Sequence, residues 1–101
     1  MQADRARIRI LNGTSTPELD TRTANYLAPQ GVVTTEFGKI QAVNRTTIIL
    51  YTPKLYTLRY LLGVFEITNS MPIRIKPDPS ETVDIEIRLG PDWVKKLPEG
   101  Y

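Results

Sequence analysis

The sequence predicts an α+β domain of the ferredoxin-like, split βαβ kind. This is a β-α-β-β-α-β chain forming a four-stranded sheet with two helices on one face, and an extra short strand fits at residues 73–76. Three observations lead there. Alternating or β-branched apolar runs recur at residues 6–11, 32–37, 46–51 and 82–89. The pairs Thr16-Pro17 and Thr52-Pro53 each open an amphipathic stretch, so the chain reads as two copies of strand, Thr-Pro, helix, strand. Arg7 and Arg9 on the first strand would face Asp84 and Glu86 on the last if the two were antiparallel neighbours. Right-handed crossovers then place strands one and three side by side and parallel, in the sheet order 4-1-3-2.

In chain order, Ile8 and Ile10 alternate with Arg7 and Arg9, which makes a strand with one buried face. Thr16 suits a helix N-cap and Pro17 the first helical position, while Ser15 with Glu18 offers a capping box one residue earlier. Leu19, Thr23, Tyr26 and Leu27 form one face of the first helix, and Pro29 and Gly31 stop it. A strand over residues 32–37 and a loop over 38–45 follow. Residues 46–51, "TTIILY", are apolar on both sides and suit a central strand. The second helix carries Leu55, Leu58, Leu62 and Phe65 inward. "IRIK" reads as a short edge strand, and "TVDIEIRL" buries Val83, Ile85, Ile87 and Leu89. "GPDWVKKLPEGY" reads as a tail. The expected core comprises Ile8, Ile10, Leu19, Leu27, Leu55, Leu58, Leu62, Ile85 and Ile87.

Composition narrows the chemistry. The chain has 101 residues, enough for one domain over 1–101 with its core at about 6–94. It is 41% apolar and 24% charged, as soluble domains are, and its net charge of +2 gives no footprint for nucleic acid. Having neither Cys nor His, it can form no disulfide, thiolate zinc site, Cys–His nucleophile or His-ligated metal site. No catalytic residue, cofactor or metal is expected. Asp84 and Glu86 lie about 7 Å apart by strand rise, which is compatible with paired carboxylates, but both face Arg7 and Arg9 on an open sheet surface. The first residues, "MQADRARIR", contain no apolar run for a signal peptide or span, so Met1 reads as a start placed before an excised domain.

"RILNGT" at the first strand-to-helix turn, "ANYLAPQG", "TTIILY" after a polar loop, and "VDIEIRLGPDW" resemble the C-terminal domain of the LytR family of bacterial cell-envelope proteins. The resemblance spans residues 7–93 and rests on Asn12-Gly13-Thr14 and Gly90-Pro91-Asp92-Trp93. Glu18-Leu19-Asp20, Val32 and the Leu-, Tyr- and Arg-bearing second helix depart from the family pattern. The resemblance implies a non-catalytic, extracytoplasmic accessory domain at the bacterial cell surface. It would be tethered to the membrane only by an anchor outside this sequence. Its implied partners are wall glycopolymer or peptidoglycan, or a protein partner or second copy, and not nucleic acid. The alternative is a structural or protein-interaction module without a glycan ligand.

Two surfaces stand out. Asn12-Gly13 reads either as a turn with Gly13 at positive φ, or as part of an anion site. The second reading follows if both helix N-termini lie at one end of the sheet, gathering Asn12, Gly13, Thr14 and Lys54. Tyr56, Arg59 and Tyr60 would face outward on the second helix as a docking surface. Arg5, Arg7, Arg9 and Arg88 form a basic patch diluted by alternating acids. Gly90-Pro91-Asp92-Trp93 should end the last strand and lay Trp93 over a sheet edge, with Asp92 bonded to nearby backbone. With that strand antiparallel to the first, the two signature motifs would lie at opposite ends and share no site.

Overall fold

The computed structural model describes residues 5–65 and 73–98. Residues 1–4, the start of the run read as lacking an apolar core, and residues 99–101 of the expected tail lie outside them. The elements are β1 (Arg7–Asn12), α1 (Leu19–Leu27), β2 (Val33–Lys39), β3 (Thr47–Leu50), α2 (Leu55–Val64), β4 (Ile73–Ile75), β5 (Ile85–Leu89) and α3 (Pro91–Lys96). The class is α+β, with a five-stranded mixed sheet and three helices among the described residues.

The sheet order is β2-β1-β5-β3-β4, which replaces the expected 4-1-3-2. β1 is parallel to both β2 and β5, β3 is parallel to β4, and β5 and β3 are antiparallel. α1 and α2 therefore each cross between adjacent strands. The fold is two contiguous βαβ units, β1-α1-β2 and β3-α2-β4, with β5 inserted between them. In the ferredoxin-like arrangement each crossover would instead leave room for a strand from the other half. The expected adjacency of β1 and β3 fails because β5 lies between them, and the short strand at 73–75 is an edge.

β5 is also parallel to β1, not antiparallel. The opposite charges did mark the neighbouring strands. Arg9 lies beside Glu86, and their side chains pair at 2.7 Å. Arg7 meets Asp84, its N–H donating at 2.8 Å and its guanidinium at 3.4 Å. An antiparallel pair would merely exchange partners, so the charges identify the neighbour without fixing its direction.

Ile8, Ile10, Ile48, Leu50, Ile85, Ile87 and Leu89 form the sheet side of the core, and Leu19, Leu27, Leu61 and Phe65 the helix side. On α2 the expected phase is wrong. Thr57 and Leu61 point inward, Leu58 and Leu62 are partly buried, and Leu55 is 59% exposed. The tail instead contains α3: Pro91 opens it, Lys95 and Lys96 occupy its last turn, and Pro98 follows. Trp93 of α3 is buried rather than laid over an edge. It meets Phe65 edge-on at 4.6 Å and Tyr26 at 5.8 Å, and its indole N–H donates to Thr23 Oγ1 at 2.8 Å. Thr23 in turn donates to the Leu19 carbonyl. One side chain thus joins all three helices.

Candidate functional site

Because β1 and β5 run parallel, Asn12 ends beside Leu89. The two signature motifs consequently meet at one end of the sheet, the reverse of what an antiparallel last strand required. The Gly13 N–H donates to the Leu89 carbonyl at 3.0 Å, and the Val43 N–H donates to the Gly13 carbonyl at 3.1 Å. Gly13 does not have positive φ. Its need for glycine is one of space, since a Cβ would stand 2.8 Å from both Leu89 O and Val43 Cγ2.

Asn12 is 4% exposed, and both ends of its amide are engaged. Nδ2 donates to the Thr16 carbonyl at 2.7 Å, while Oδ1 accepts from the Thr14 N–H at 3.0 Å and the Thr14 hydroxyl at 2.7 Å. Thr14 Oγ1 also accepts the Thr16 N–H. This pinning holds Thr16 out of a capping role. The helix starts only at Leu19, with Glu18 at φ 59 and no side-chain cap.

The second motif is fastened to the loop before β3. Asp92 Oδ1 accepts the Thr46 N–H at 2.9 Å and the Thr46 hydroxyl at 3.0 Å, and Thr46 Oγ1 accepts the Gly90 N–H at 3.1 Å. Asp92 therefore reaches across the chain rather than to nearby backbone. Gly90 allows the close approach, since a Cβ there would lie 2.4 Å from the Arg45 carbonyl carbon. Between the two motifs opens a groove of about 390 Å³. Its walls are residues 13–16, the crest at Ala42 and Val43, and Pro91, Val94 and Lys95. Threonine and serine hydroxyls, an apolar flank and one ammonium group suit a sugar ring carrying polar or anionic substituents.

Lys54 belongs to the other end. Leu50 and Ile8 both pair with Ile85, so β3 finishes where β1 begins, roughly 13 Å by strand rise from Asn12. The structure thus gathers Asn12, Gly13 and Thr14 but not Lys54, and Lys95 is the cation at the groove. The sequence signal for Lys95 was the short-helix pattern of Pro91, Asp92 and the following lysines. Thr46 carried no such signal, because its partner is 46 residues away. On α2, Tyr56 is 60% exposed and Arg59 is exposed, but Tyr60 is half-buried against the core. Burial, and secondarily Tyr26, pushes the Tyr60 hydroxyl above its ordinary pKa.

The sheet face away from the helices carries an ion network around Arg9. Its guanidinium donates to Glu81 at 2.7 Å, Glu86 at 2.7 Å and Glu36 at 3.0 Å. The Thr82 hydroxyl and then Arg9 lower the Glu36 carboxyl, and Arg9 followed by the Thr82 N–H lowers Glu81. Desolvation pulls Asp84 upward, but the Arg7 N–H and guanidinium and the Thr52 hydroxyl outweigh it and hold it below the ordinary range. These carboxylates are engaged by arginine, not paired as acid and base. No cluster of acidic, Cys or His side chains among the described residues is placed to hold a metal.

A family model described as LytR cell envelope-related transcriptional attenuator matches residues 5–93, taking in both motifs and ending at Trp93. The chain belongs to this LytR C-terminal family. Its members are C-terminal accessory domains of cell-envelope-related proteins, which places this LytR C-terminal domain with the envelope. Comparison with curated proteins and with solved structures returned no match. No helix among the described residues of the LytR C-terminal domain is long and apolar enough to cross a membrane.

Proposed function

We propose that this LytR C-terminal domain is a non-catalytic, extracytoplasmic binding module whose groove beside Asn12-Gly13 and Gly90-Pro91 takes a segment of wall glycopolymer. The observation that carries the reading is the meeting of the two motifs. Their own polar side chains hold loops together, as Asn12 does with Thr14 and Thr16 and as Asp92 does with Thr46. What remains presented is a shaped groove with hydroxyls and Lys95 on its walls. The carboxyl ends of parallel strands are also where open α/β sheets offer their crevices. The module would sit at the cell surface, held there by sequence outside this chain.

The test is an NMR titration of the purified chain with soluble peptidoglycan fragments. Amide shifts are expected at Gly13, Thr14, Thr16, Val94 and Lys95, with none at Lys54 to Tyr56 and no change in the fragments themselves. Fragments that leave the groove amides unmoved overturn the reading, and turnover of the fragments overturns its non-catalytic part.

A second reading, docking on a neighbouring domain or a second copy, is favoured by the exposed Leu55 and Tyr56 at the start of α2. In that case Leu55→Ser with Tyr56→Ala weakens self-association or docking at unchanged thermal midpoint. Nucleic acid is not favoured, because the groove contains no aromatic side chain on which a base could stack.

A further inference from the structure

Asn12-Gly13 has a chemistry of its own, whatever the groove beside it binds. In an Asn-Gly pair no side chain shields the glycine nitrogen, which can attack the side-chain amide before it. Gly13 N loses its proton to solvent and bonds to Asn12 Cγ. The Cγ–Nδ2 bond breaks, and Nδ2 leaves as ammonia with a proton from solvent. The five-membered succinimide so formed then takes up one water molecule. Opening at one carbonyl gives aspartate. Opening at the other gives isoaspartate, in which the main chain runs through the side-chain carbons. The balance is amide plus water to carboxyl plus ammonia, with no oxidation or reduction.

The fold holds the reacting atoms apart. Asn12 is buried and is the last extended residue of β1, paired with Lys39 on one side and Leu89 on the other. The peptide plane between Asn12 and Gly13 is pinned at both edges. The Asn12 carbonyl accepts the Ile40 N–H at 3.1 Å, and the Gly13 N–H donates to the Leu89 carbonyl at 3.0 Å. That plane must turn to bring Gly13 N onto Cγ, and the nitrogen must give up the proton that Leu89 accepts. The side chain is fixed as well, with Nδ2 on the Thr16 carbonyl and Oδ1 on the Thr14 N–H and hydroxyl. Ring closure therefore requires this end of the sheet to open first.

We infer that Asn12-Gly13 is a latent deamidation site, inert while β1 stays paired with β5 and converted to aspartate and isoaspartate when their carboxyl ends part. Conversion is one-way. A carboxylate at position 12 has no N–H for the Thr16 carbonyl and sets oxygen against oxygen. Isoaspartate adds a main-chain atom ahead of Gly13 and displaces the N–H that meets Leu89. Each opening that reacts thus leaves a chain whose two signature motifs no longer join as before.

The experiment incubates the full chain at mildly alkaline pH in buffer, in graded urea below the unfolding midpoint, and in urea above it. Mass spectrometry follows conversion at Asn12 and at the exposed Asn25 and Asn44, whose nitrogens to be attacked belong to the bulkier Tyr26 and Arg45. Hydrogen exchange at the Gly13 N–H follows opening in the same samples. In the unfolded chain Asn12 should convert well ahead of Asn25 and Asn44. In buffer it should convert slower by about tenfold or more, with rates across graded urea running parallel to Gly13 exchange. Thr14→Val removes the hydroxyl that Asn12 and Thr16 share and should speed conversion in buffer; if that variant does not fold, the graded urea series makes the same comparison. Asn12→Asp, equivalent to one product, should lower the thermal midpoint. The inference is overturned if Asn12 converts in buffer as fast as in the unfolded chain, if it fails to outpace Asn25 and Asn44 when unfolded, or if its conversion ignores Gly13 exchange. Asn12→Asp at the parent's midpoint overturns the one-way part.

Discussion

Asn12 shows how a residue that marks a family can act without touching a ligand. Its buried amide ties Thr14 and Thr16 into one loop, and the next residue is glycine because Leu89 and Val43 leave no room for a Cβ. Replacing Asn12 with Ala leaves the Thr14 N–H and the Thr16 carbonyl without their partner. The expected cost is about 1–3 kcal/mol in urea denaturation at an unchanged fold, from groups left unsatisfied. A stability equal to that of the parent would mean that the loop is held elsewhere. The dipeptide announced a turn in the sequence. That it needs space rather than positive φ was not legible, because the crowding atoms belong to residues 30 and more positions away.

At the scale of elements, α1 and the strands were legible and the facing of α2 was not. Leu19, Thr23 and Leu27 repeat cleanly, and all three are buried. α2 instead carries Leu55, Tyr56, Leu58, Tyr60, Leu61 and Leu62 on nearly every side, so periodicity cannot select one face. Packing selects Thr57, Leu61 and Phe65. Leu61→Ala should therefore cost about 2–5 kcal/mol by leaving a cavity, whereas Leu55→Ala should stay within about 0.5 kcal/mol, as exposed positions do. Thermal midpoints of the two variants check this, and similar midpoints would contradict the observed facing. α3 was missed although Pro91, Asp92 and the two lysines spell it. A helix of six residues buries little by periodicity and is fixed instead by Trp93 and by the Asp92–Thr46 bonds.

For the molecule as a whole, class and neighbours were readable but strand direction was not. Arg7 and Arg9 find Asp84 and Glu86 in either orientation, and that ambiguity carried the site with it: once β5 is turned, two motifs expected at opposite ends become the walls of one groove. The same charges govern the response to acid. Glu36, Glu81 and Asp84 have lowered pKa values in the fold. Their contribution is complete above the unfolded carboxylate values, about 4. It is lost as pH falls through the lower folded values. Denaturation midpoints should hold from neutral pH to about 5 and decline below about 4, with added salt shrinking the part due to the half-buried Glu36 and Glu81. Asp84→Asn should flatten the decline, and an unchanged slope would remove Asp84 from the account.

β5 has a consequence for how the protein is made. It is the last strand among the described residues, and among them it alone joins β1 and β3 into one sheet. While synthesis proceeds from β1 through β4, the inner edges of β1 and β3 stay unpaired, each open to any extended segment nearby. Residues 85–89 close both edges at once, and the Arg7–Asp84 contact across 77 positions forms only then. The nascent domain therefore presents two open strand edges almost to its end, and a truncation just before β5 is expected to aggregate where the parent stays monodisperse, as size-exclusion chromatography would check.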